Sequence, residues 1–270
     1  MPELAEVEFY RRIWNAGFGQ RVTNVEAHSD KRIFRGVDTA NLLGSLTGAV
    51  LDASFSHGKQ MLFRFSNGWL GIHLGMTGEL RVEATDFPAE KHDHLLLRLP
   101  NVSLVFADPR LFGRVLFHQG AKEPAWWQTL PPSLESEEFT LERMTSVLQR
   151  RKKAPIKAVL LMQPFFPGVG NWMADEILWR SRVHPATSCG SIPPAGVRKL
   201  FLATKTVAAD ALETIASAKG TTFGDPPTGW LFHQRWGKDG TCPRCNTKLD
   251  RDEIGGRTTA WCERCQPRPI

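Results

Sequence analysis

Four cysteines near the C-terminus place the strongest constraint on how this 270-residue chain folds. They form two Cys-x2-Cys pairs separated by 16 residues: Cys242 with Cys245, and Cys262 with Cys265. Tetrahedral zinc binds four thiolates at about 2.3 Å, so both pairs must converge on one point and the chain between them must turn back as a hairpin. A redox pair is the alternative, although two pairs at ribbon spacing argue against it. We predict one structural zinc ion with no open coordination position.

The composition is typical of a folded intracellular protein. Hydrophobic residues make up 41% of the chain, which is enough for one large domain or two to three small ones. No run of 18 apolar residues predicts a membrane span, and the N-terminus lacks the pattern of a secretory signal. We therefore expect a cytoplasmic protein with no membrane partner. A net charge of +6 favours a polyanionic partner.

Hydrophobic periodicity divides the chain into a β-rich part and a helical part. A helical pattern over residues 2–15 precedes a series of short β-type runs, which include a hairpin at Asn67-Gly68. Strands are expected at 47–55, 61–65, 69–72, 94–99, 102–107 and 113–118. Helices are expected at 140–150, 155–163, 172–181 and 194–217.

These patterns predict an α+β fold with two domains. An N-terminal β-sandwich that carries the N-terminal helix is expected over residues 2–120. A linker over 121–139, rich in Pro, Trp, Glu and Ser, separates it from a helical domain over 140–220. A glycine-rich connector is expected over 221–240, and the zinc ribbon occupies 241–270.

The N-terminus offers a nucleophile if Met1 is removed. Pro2 would then carry a free secondary amine, and a pKa of about 8 would leave an appreciable part of it neutral at physiological pH. Glu3 follows directly, and Glu6 lies on the same face of the expected helix. Proline followed by glutamate is also ordinary chemistry at a helix start. The motif alone leaves both interpretations open.

The turn between the cysteine pairs carries one cation, Arg257, after two glycines. It is either a solvated turn residue or a group that binds phosphate through its planar guanidinium.

Eight motifs together resemble the formamidopyrimidine-DNA glycosylase and endonuclease VIII family, closer to the formamidopyrimidine branch. They occur in the family's order and span essentially the whole chain. They are PELAEVE at 2–8, HGK at 57–59, HLGMTG at 73–78, HDH at 92–94, DPRLFGR at 108–114, PIK at 155–157, GVGN at 168–171 and GGRTT at 255–259.

The resemblance implies a bifunctional DNA glycosylase of base excision repair with associated lyase activity. Pro2 matches the nucleophile that attacks C1′ and forms a Schiff base, which then undergoes β- and δ-elimination. Glu3 matches a general acid/base at the sugar, with Glu6 orienting or assisting it. Lys59 matches a phosphate clamp and proton donor. Arg257 matches a finger arginine that contacts phosphate and assists δ-elimination.

Seven further residues match positions that contact DNA in the family. They are Met76, His92, Arg110, Phe112, Lys153, Lys157 and Asn171. Three of these, Met76, Arg110 and Phe112, match the residues that fill the gap left by an everted base. Asn171 matches a phosphate ligand of a helix–two-turn–helix element. The implied partner is double-stranded DNA with a damaged base, bound by a monomer.

The chain also departs from the family pattern. Leu111 stands where a second arginine is common, and Arg235-Trp236 replaces the commoner Val-Tyr. The segment 221–229 is short, which weakens the case for 8-oxoguanine, whereas Lys157 matches a base-contacting lysine of the purine branch. We favour oxidised or ring-opened purines. Oxidised pyrimidines, abasic sites, a non-catalytic binder of damaged DNA and a zinc-ribbon protein of transcription or RNA metabolism remain open.

Overall fold

The computed structural model describes residues 1–268 and divides the chain into two compact units. The first unit comprises Met1–Leu130 and Ala218–Phe223, and the second comprises Pro131–Ser217 and the chain from Gly224 onward. The last two residues of the zinc ribbon predicted over 241–270 lie outside the described residues.

The first unit is a β-sandwich of two four-stranded antiparallel sheets. Its strands are β1 (Asn24–Ala27), β2 (Leu51–His57), β3 (Gln60–Phe65), β4 (Gly68–His73), β5 (Glu79–Glu83), β6 (Asp93–Arg98), β7 (Ser103–Ala107) and β8 (Arg114–Gln119). The sheet orders are β1-β6-β7-β5 and β2-β3-β4-β8. Buried side chains such as Phe63, Ile72, Leu97 and Phe106 form one core, which excludes water from the facing sides. The predicted sandwich is confirmed.

Three helices accompany these strands: α1 (Leu4–Ile13), α2 (Thr39–Leu46) and α3 (Ala125–Gln128). The sequence pattern predicted α1 but missed α2 and α3, as well as strands β1 and β5, and α3 lies within the predicted linker over 121–139. Helix α2 begins at Asp38, whose side chain accepts a hydrogen bond from the N–H of Asn41 at 3.0 Å. Strand β1 has only four residues, and β5 reads Glu-Leu-Arg-Val-Glu, so neither contains the apolar run on which the prediction depended.

The predicted hairpin at Asn67-Gly68 exists, but its turn lies one residue earlier. Phe65 pairs with Gly68, so Ser66 and Asn67 form the turn and Gly68 begins β4. A Cβ on Gly68 would lie 2.6 Å from the carbonyl oxygen of His118 on the neighbouring strand. Glycine is therefore needed for close packing of β4 against β8.

The second unit contains four helices and the two-stranded zinc hairpin. The helices are α4 (Leu141–Arg150), α5 (Ile156–Leu160), α6 (Asn171–Ser181) and α7 (Pro194–Thr214), and the strands are β9 (Asp250–Ile254) and β10 (Arg257–Trp261). Helix α5 is shorter than the predicted 155–163, because Pro164 disfavours helical geometry in the residue before it. Helix α7 ends three residues before the predicted 217. None of the helices in residues 1–268 is long and apolar enough to cross a bilayer.

Candidate active site and nucleic-acid interface

The first turn of α1 holds two buried carboxylates next to Pro2 in the chain. Glu3 is the N-cap of the helix and is 2% exposed, and Glu6 is also buried. The Glu6 carboxylate accepts a hydrogen bond from the backbone N–H of Glu3 at 3.2 Å, within a capping box. Glu6 therefore fixes the backbone that carries Glu3, as an orienting residue would. Met1 is 48% exposed, so it is accessible for removal.

Polar contacts attach α1 to strand β2. The Ser56 hydroxyl donates to the Glu8 carboxylate at 2.6 Å, and Arg11 donates to the Ser54 hydroxyl at 2.7 Å. Burial alone would raise the pKa of Glu8, but hydrogen bonds from Arg11, Ser56 and Arg12 hold that pKa below its ordinary value. Glu8 is therefore ionised at neutral pH, and it ties the N-terminal helix to the strand that leads to Lys59.

Lys59 lies in the two-residue turn between β2 and β3. His57 pairs with Gln60, so Gly58 and Lys59 form the turn, and Gly58 has a positive φ of 58°. The Lys59 side chain is buried rather than solvated. Its ammonium group is therefore held in a fixed place at the end of the second sheet.

Two exposed apolar side chains lie on neighbouring loops of the first unit. Met76 is 40% exposed in the turn between β4 and β5, and Phe112 is 42% exposed in the turn before β8. The guanidinium groups of Arg110 and Arg32 lie 4.9 and 4.8 Å from the centre of the Phe112 ring. Such apolar bulk beside a cation suits insertion between bases. Without the family resemblance, both apolar residues would have been assigned to the core.

A single buried carboxylate connects these two loops. One oxygen of Asp108 accepts from the Thr77 hydroxyl at 2.9 Å and the Arg110 N–H at 3.2 Å, and the other accepts from the Gly113 N–H at 2.6 Å. Asp108 is fully buried. It therefore holds the Met76 turn and the Arg110–Phe112 turn in one arrangement.

The first unit also contains a cationic cavity that the sequence motifs do not indicate. His73, Arg35 and Arg114 line a cavity of about 560 Å³ together with Phe112 and Trp126. Burial, and then the charges of Lys59, Arg35 and Arg114, lower the pKa of His73. His73 Nδ1 accepts from the Gly75 N–H at 3.0 Å, so the neutral ring carries its proton on Nε2. His73 pairs with Arg114 across β4 and β8, a tertiary contact that no local sequence pattern indicates.

The two other histidines of this region differ in exposure. His92, a predicted DNA contact, is exposed. His94 is buried, with Nε2 3.1 Å from the Asp108 carbonyl oxygen and Nδ1 3.0 Å from His28 Nδ1. His94 is therefore part of the packed interior of this unit.

In the second unit, Asn171 is the first residue of α6 and follows a Gly-Val-Gly turn. The Gln163 side chain supports this turn by donating to the Val169 carbonyl at 2.8 Å and accepting from the Gly168 N–H at 3.1 Å. The Asn171 amide donates to the Thr258 carbonyl of β10 at 2.9 Å. The amide therefore links the N-terminus of α6 to β10.

The predicted basic residues of the second unit have different environments. Arg257 is exposed and directly follows the Gly255-Gly256 turn, and Lys153 is exposed in the loop after α4. Lys157, in contrast, is 0% exposed and donates to the Asn171 carbonyl at 2.7 Å and to the Asp175 carboxylate. Its ammonium group is therefore bound to the protein's own chain.

The four C-terminal cysteines converge as predicted. Their sulfurs all lie within 4.8 Å of one another, with separations such as 3.5 Å for Cys245 to Cys262 and 3.9 Å for Cys242 to Cys265. Four thiolates at about 2.3 Å from one zinc ion would be about 3.8 Å apart, so the cluster fits one tetrahedral ion. The Trp179 indole N–H donates to Cys242 Sγ at 3.3 Å, which stabilises a thiolate. The prediction of one structural zinc is confirmed.

The fifth cysteine lies outside this cluster. Cys189 is buried in the second unit, and burial raises its pKa to about 11. It therefore stays an unreactive thiol at neutral pH.

Profiles of known families match the chain in three consecutive regions. The formamidopyrimidine-DNA glycosylase N-terminal domain matches residues 1–115, and the H2TH domain of the same enzymes matches residues 130–223. A zinc finger found in FPG and IleRS matches residues 240–268. A formamidopyrimidine-DNA glycosylase of Symbiobacterium thermophilum is 36% identical over 283 residues, covering all of this chain and 90% of that protein. One from Acaryochloris marina is 32% identical over 291 residues, covering 99% of each.

Solved structures agree with these matches. Wild-type Lactococcus lactis Fpg (MutM), in complex with DNA that contains an oxidized pyrimidine, has a TM-score of 0.88 at 28% identity. The same wild-type protein with DNA containing N7-benzyl-Fapy-dG has a TM-score of 0.86 at 29% identity. Each comparison covers 99% of this chain and 100% of the other. The family resemblance of the sequence motifs is confirmed.

Proposed function

Because the chain belongs to the formamidopyrimidine-DNA glycosylase family, we propose that it is a bifunctional glycosylase and AP lyase acting on oxidised or ring-opened bases in double-stranded DNA. The observation that carries this proposal is the start of α1, where Pro2 adjoins the buried Glu3 and Glu6. A pure DNA-binding protein has no need for an amine next to two buried carboxylates.

The first chemical step breaks the bond between the sugar and the base. The neutral Pro2 amine attacks C1′ of the everted nucleotide, the C1′–N bond breaks, and the base leaves with its bonding electrons and a proton. The amine loses its proton as the sugar ring opens, and Glu3 exchanges protons with the sugar oxygen. The product is an iminium ion between Pro2 and C1′. Because the amine is secondary, this imine is necessarily cationic.

The cationic iminium is the electron sink for strand cleavage. Loss of a proton from C2′ expels the 3′-phosphate as the C3′–O bond breaks, which is β-elimination. Loss of a proton from C4′ then expels the 5′-phosphate as the C5′–O bond breaks, which is δ-elimination. Water hydrolyses the remaining imine and regenerates Pro2. Lys59 and Arg257 stabilise the departing phosphates, because both are cations at the positions that match this role.

DNA is bound mainly through its phosphates. We assign this role to His92, Lys153 and Asn171, in addition to Lys59 and Arg257. The His73, Arg35 and Arg114 cavity offers a further anion site on the first unit. Met76, Arg110 and Phe112 fill the gap that the everted base leaves. Their exposure and their attachment to Asp108 support this role.

The segment 221–229 supports a choice of lesion class. The Phe223 ring lies edge-on to Phe9 and Tyr10 of α1, with ring centres 6.0 and 6.1 Å apart. The Phe223 ring is engaged by this contact, and Pro226 and Pro227 have no backbone N–H. The short segment therefore has few hydrogen-bond donors with which to close over an everted purine. We therefore expect ring-opened purines to be excised ahead of 8-oxoguanine, with oxidised pyrimidines and abasic sites as the alternatives.

A panel of lesion duplexes tests the proposal. Protein lacking Met1 is incubated with duplexes that contain a formamidopyrimidine, 8-oxoguanine, an oxidised pyrimidine or an abasic site. Base release and strand cleavage are read separately, and borohydride is added to trap the iminium. We expect a covalent complex with the abasic-site duplex and fastest base release from the formamidopyrimidine.

The matched control is the same protein with an N-terminal extension that blocks the Pro2 nitrogen. Pro2→Gly is a weaker control, because it retains a primary amine. Cleavage by the blocked protein at the unblocked rate would exclude Pro2 as the nucleophile. Binding of all four duplexes with neither cleavage nor trapping would identify a non-catalytic binder of damaged DNA.

A further inference from the structure

The residue that departs most clearly from the family pattern near the finger, Arg235, is buried in the second unit. Its guanidinium donates two hydrogen bonds to one oxygen of Asp175 on α6, from Nε at 3.0 Å and from Nη2 at 2.7 Å. The exposed indole of Trp236 covers the guanidinium at 4.3 Å. An arginine this deeply buried requires a local partner, and Asp175 supplies it.

Asp175 joins three segments of the second unit. It accepts from Lys157 of α5 and from Arg235 of the connector, and the oxygen that binds Arg235 also accepts from the Ala260 N–H of β10 at 3.3 Å. The Thr258 carbonyl of β10 accepts from Arg235 Nη2 at 3.5 Å and from the Asn171 amide at 2.9 Å. The strand is therefore attached to α6 at two positions that closely follow Arg257.

We propose that Arg235, together with Asp175, is a positioning residue that holds β10 against α6 so that Arg257 and Asn171 engage the DNA backbone in a fixed register. Arg257 is exposed, so the position of its backbone limits where its guanidinium can reach. That backbone pairs with Ile254 in the hairpin, and Thr258, the next residue, attaches it to Asn171 and Arg235. The inference rests on the proposed function, because its first readout is the contribution of Arg257 to δ-elimination.

Arg235→Val tests this role and restores a valine of the kind common in the family. The Lys157–Asp175 pair stays balanced in charge, so the fold has no new buried charge without a partner. The zinc-loaded full-length variant is incubated with an abasic-site duplex, and β- and δ-elimination products are separated. A displacement of about 1 Å can cost about 100-fold in rate, so we expect the ratio of β to δ products to rise about tenfold or more.

Lys205→Val is the matched control. Lys205 is a partly buried cation of α7 in the same unit; it donates to the Ser136 carbonyl at 2.7 Å and lies over the Phe139 ring, so its removal leaves no buried carboxylate without a partner and neither contact involves α6 or β10. We expect the wild-type product ratio from this variant. Arg235→Lys keeps a cation beside Asp175 but lacks the fork that reaches Thr258, so its ratio should be intermediate. A wild-type ratio from Arg235→Val would overturn the inference.

A double-mutant cycle separates positioning from general stability. If Arg235 acts through Arg257, adding Arg235→Val to an Arg257→Ala protein should leave the product ratio unchanged. Multiplied effects of the two substitutions would overturn the inference.

Amide hydrogen exchange provides a readout that needs no activity. Arg235→Val should speed exchange across Arg257–Trp261, whereas Lys205→Val should not. Unchanged exchange in Arg235→Val would also overturn the inference. Absence of cleavage and trapping by the wild-type protein would instead refute the proposed function, and the exchange result would still decide the positioning role.

Discussion

Replacing Asp108 with asparagine should loosen the two loops that carry Met76 and Phe112. Asparagine has nearly the same shape, but it replaces one carboxylate oxygen by an NH2 group that cannot accept. Either the buried Gly113 N–H or the pair of donors on the other oxygen, Thr77 and Arg110, then loses its acceptor. The bonds that survive are also weakened, because the acceptor is no longer ionised.

The cost follows from these bonds. A buried donor left without an acceptor lowers the free energy of unfolding by about 1–3 kcal/mol. Loss of the carboxylate charge weakens the remaining hydrogen bonds and lowers it by a smaller further amount. We expect Asp108→Asn to lower the free energy of unfolding by about 2–4 kcal/mol. For a chain of this size, 1 kcal/mol changes the Tm by about 2–4 °C, so the Tm should fall by about 4–16 °C.

Calorimetry and kinetics test this expectation together. Eversion of a nucleotide that still has its base depends more on the two loops than cleavage at an abasic site does. Base release should therefore fall about tenfold relative to abasic-site cleavage, which is equivalent to about 1.4 kcal/mol in activation free energy. Asp86→Asn, which removes an exposed carboxylate of the same unit, is the matched control and should change neither quantity. The reasoning is refuted if Asp108→Asn melts at the wild-type temperature or slows both reactions equally.

Three further predictions concern other parts of the molecule. Phe112→Ala should slow base release while changing the free energy of unfolding by less than about 0.5 kcal/mol, because the ring is exposed; calorimetry and a base-release assay would show both. Chelation of the metal should unfold the β9–β10 hairpin and weaken DNA binding, and added zinc should restore both, as measured by hydrogen exchange and a binding titration. The pKa of His73 is lowered by burial and by nearby cations, so the unfolded chain binds its proton at higher pH than the folded chain. The stability contributed by neutral His73 is therefore present above about pH 6.5 and is lost as the pH falls below it. In the His73→Gln variant, the Tm should therefore decrease less between pH 7 and pH 5 than it does in the wild-type protein.

The parts of the fold that the sequence predicted are those with strong local signals. The Cys-x2-Cys pairs have few ways to bind one ion, and strands β3, β4, β6 and β7 contain apolar runs bounded by turns. Strand β5 was missed because Glu79, Arg81 and Glu83 alternate with only two apolar residues. Its position is set by pairing with β7, which is a tertiary contact that no local pattern reveals.

The candidate site shows the same division. Pro2, Glu3 and Glu6 are neighbours in the chain, so a motif could identify them together. His73, Arg35 and Arg114 come from three separate segments and meet only through strand pairing and loop packing. The burial of Lys157 likewise depends on Asp175, which lies 18 residues away on another helix. Sequence matching identifies a lysine at such a position but not what its ammonium group binds.

The departures from the family pattern are accompanied by compensating contacts from other segments. Leu111, which stands where a second arginine is common, has a positive φ of 58° and packs against the sandwich core. Its carbonyl accepts from Arg32 Nε at 2.6 Å, and the Arg32 guanidinium lies over Phe112. A cation beside the Phe112 ring is therefore supplied from a loop 79 residues away in sequence. At Arg235 the chain has a cation where the family commonly has valine, and the carboxylate of Asp175 on α6 neutralises it. At both positions, therefore, the charge that the departure removes or adds is matched by a residue from another segment.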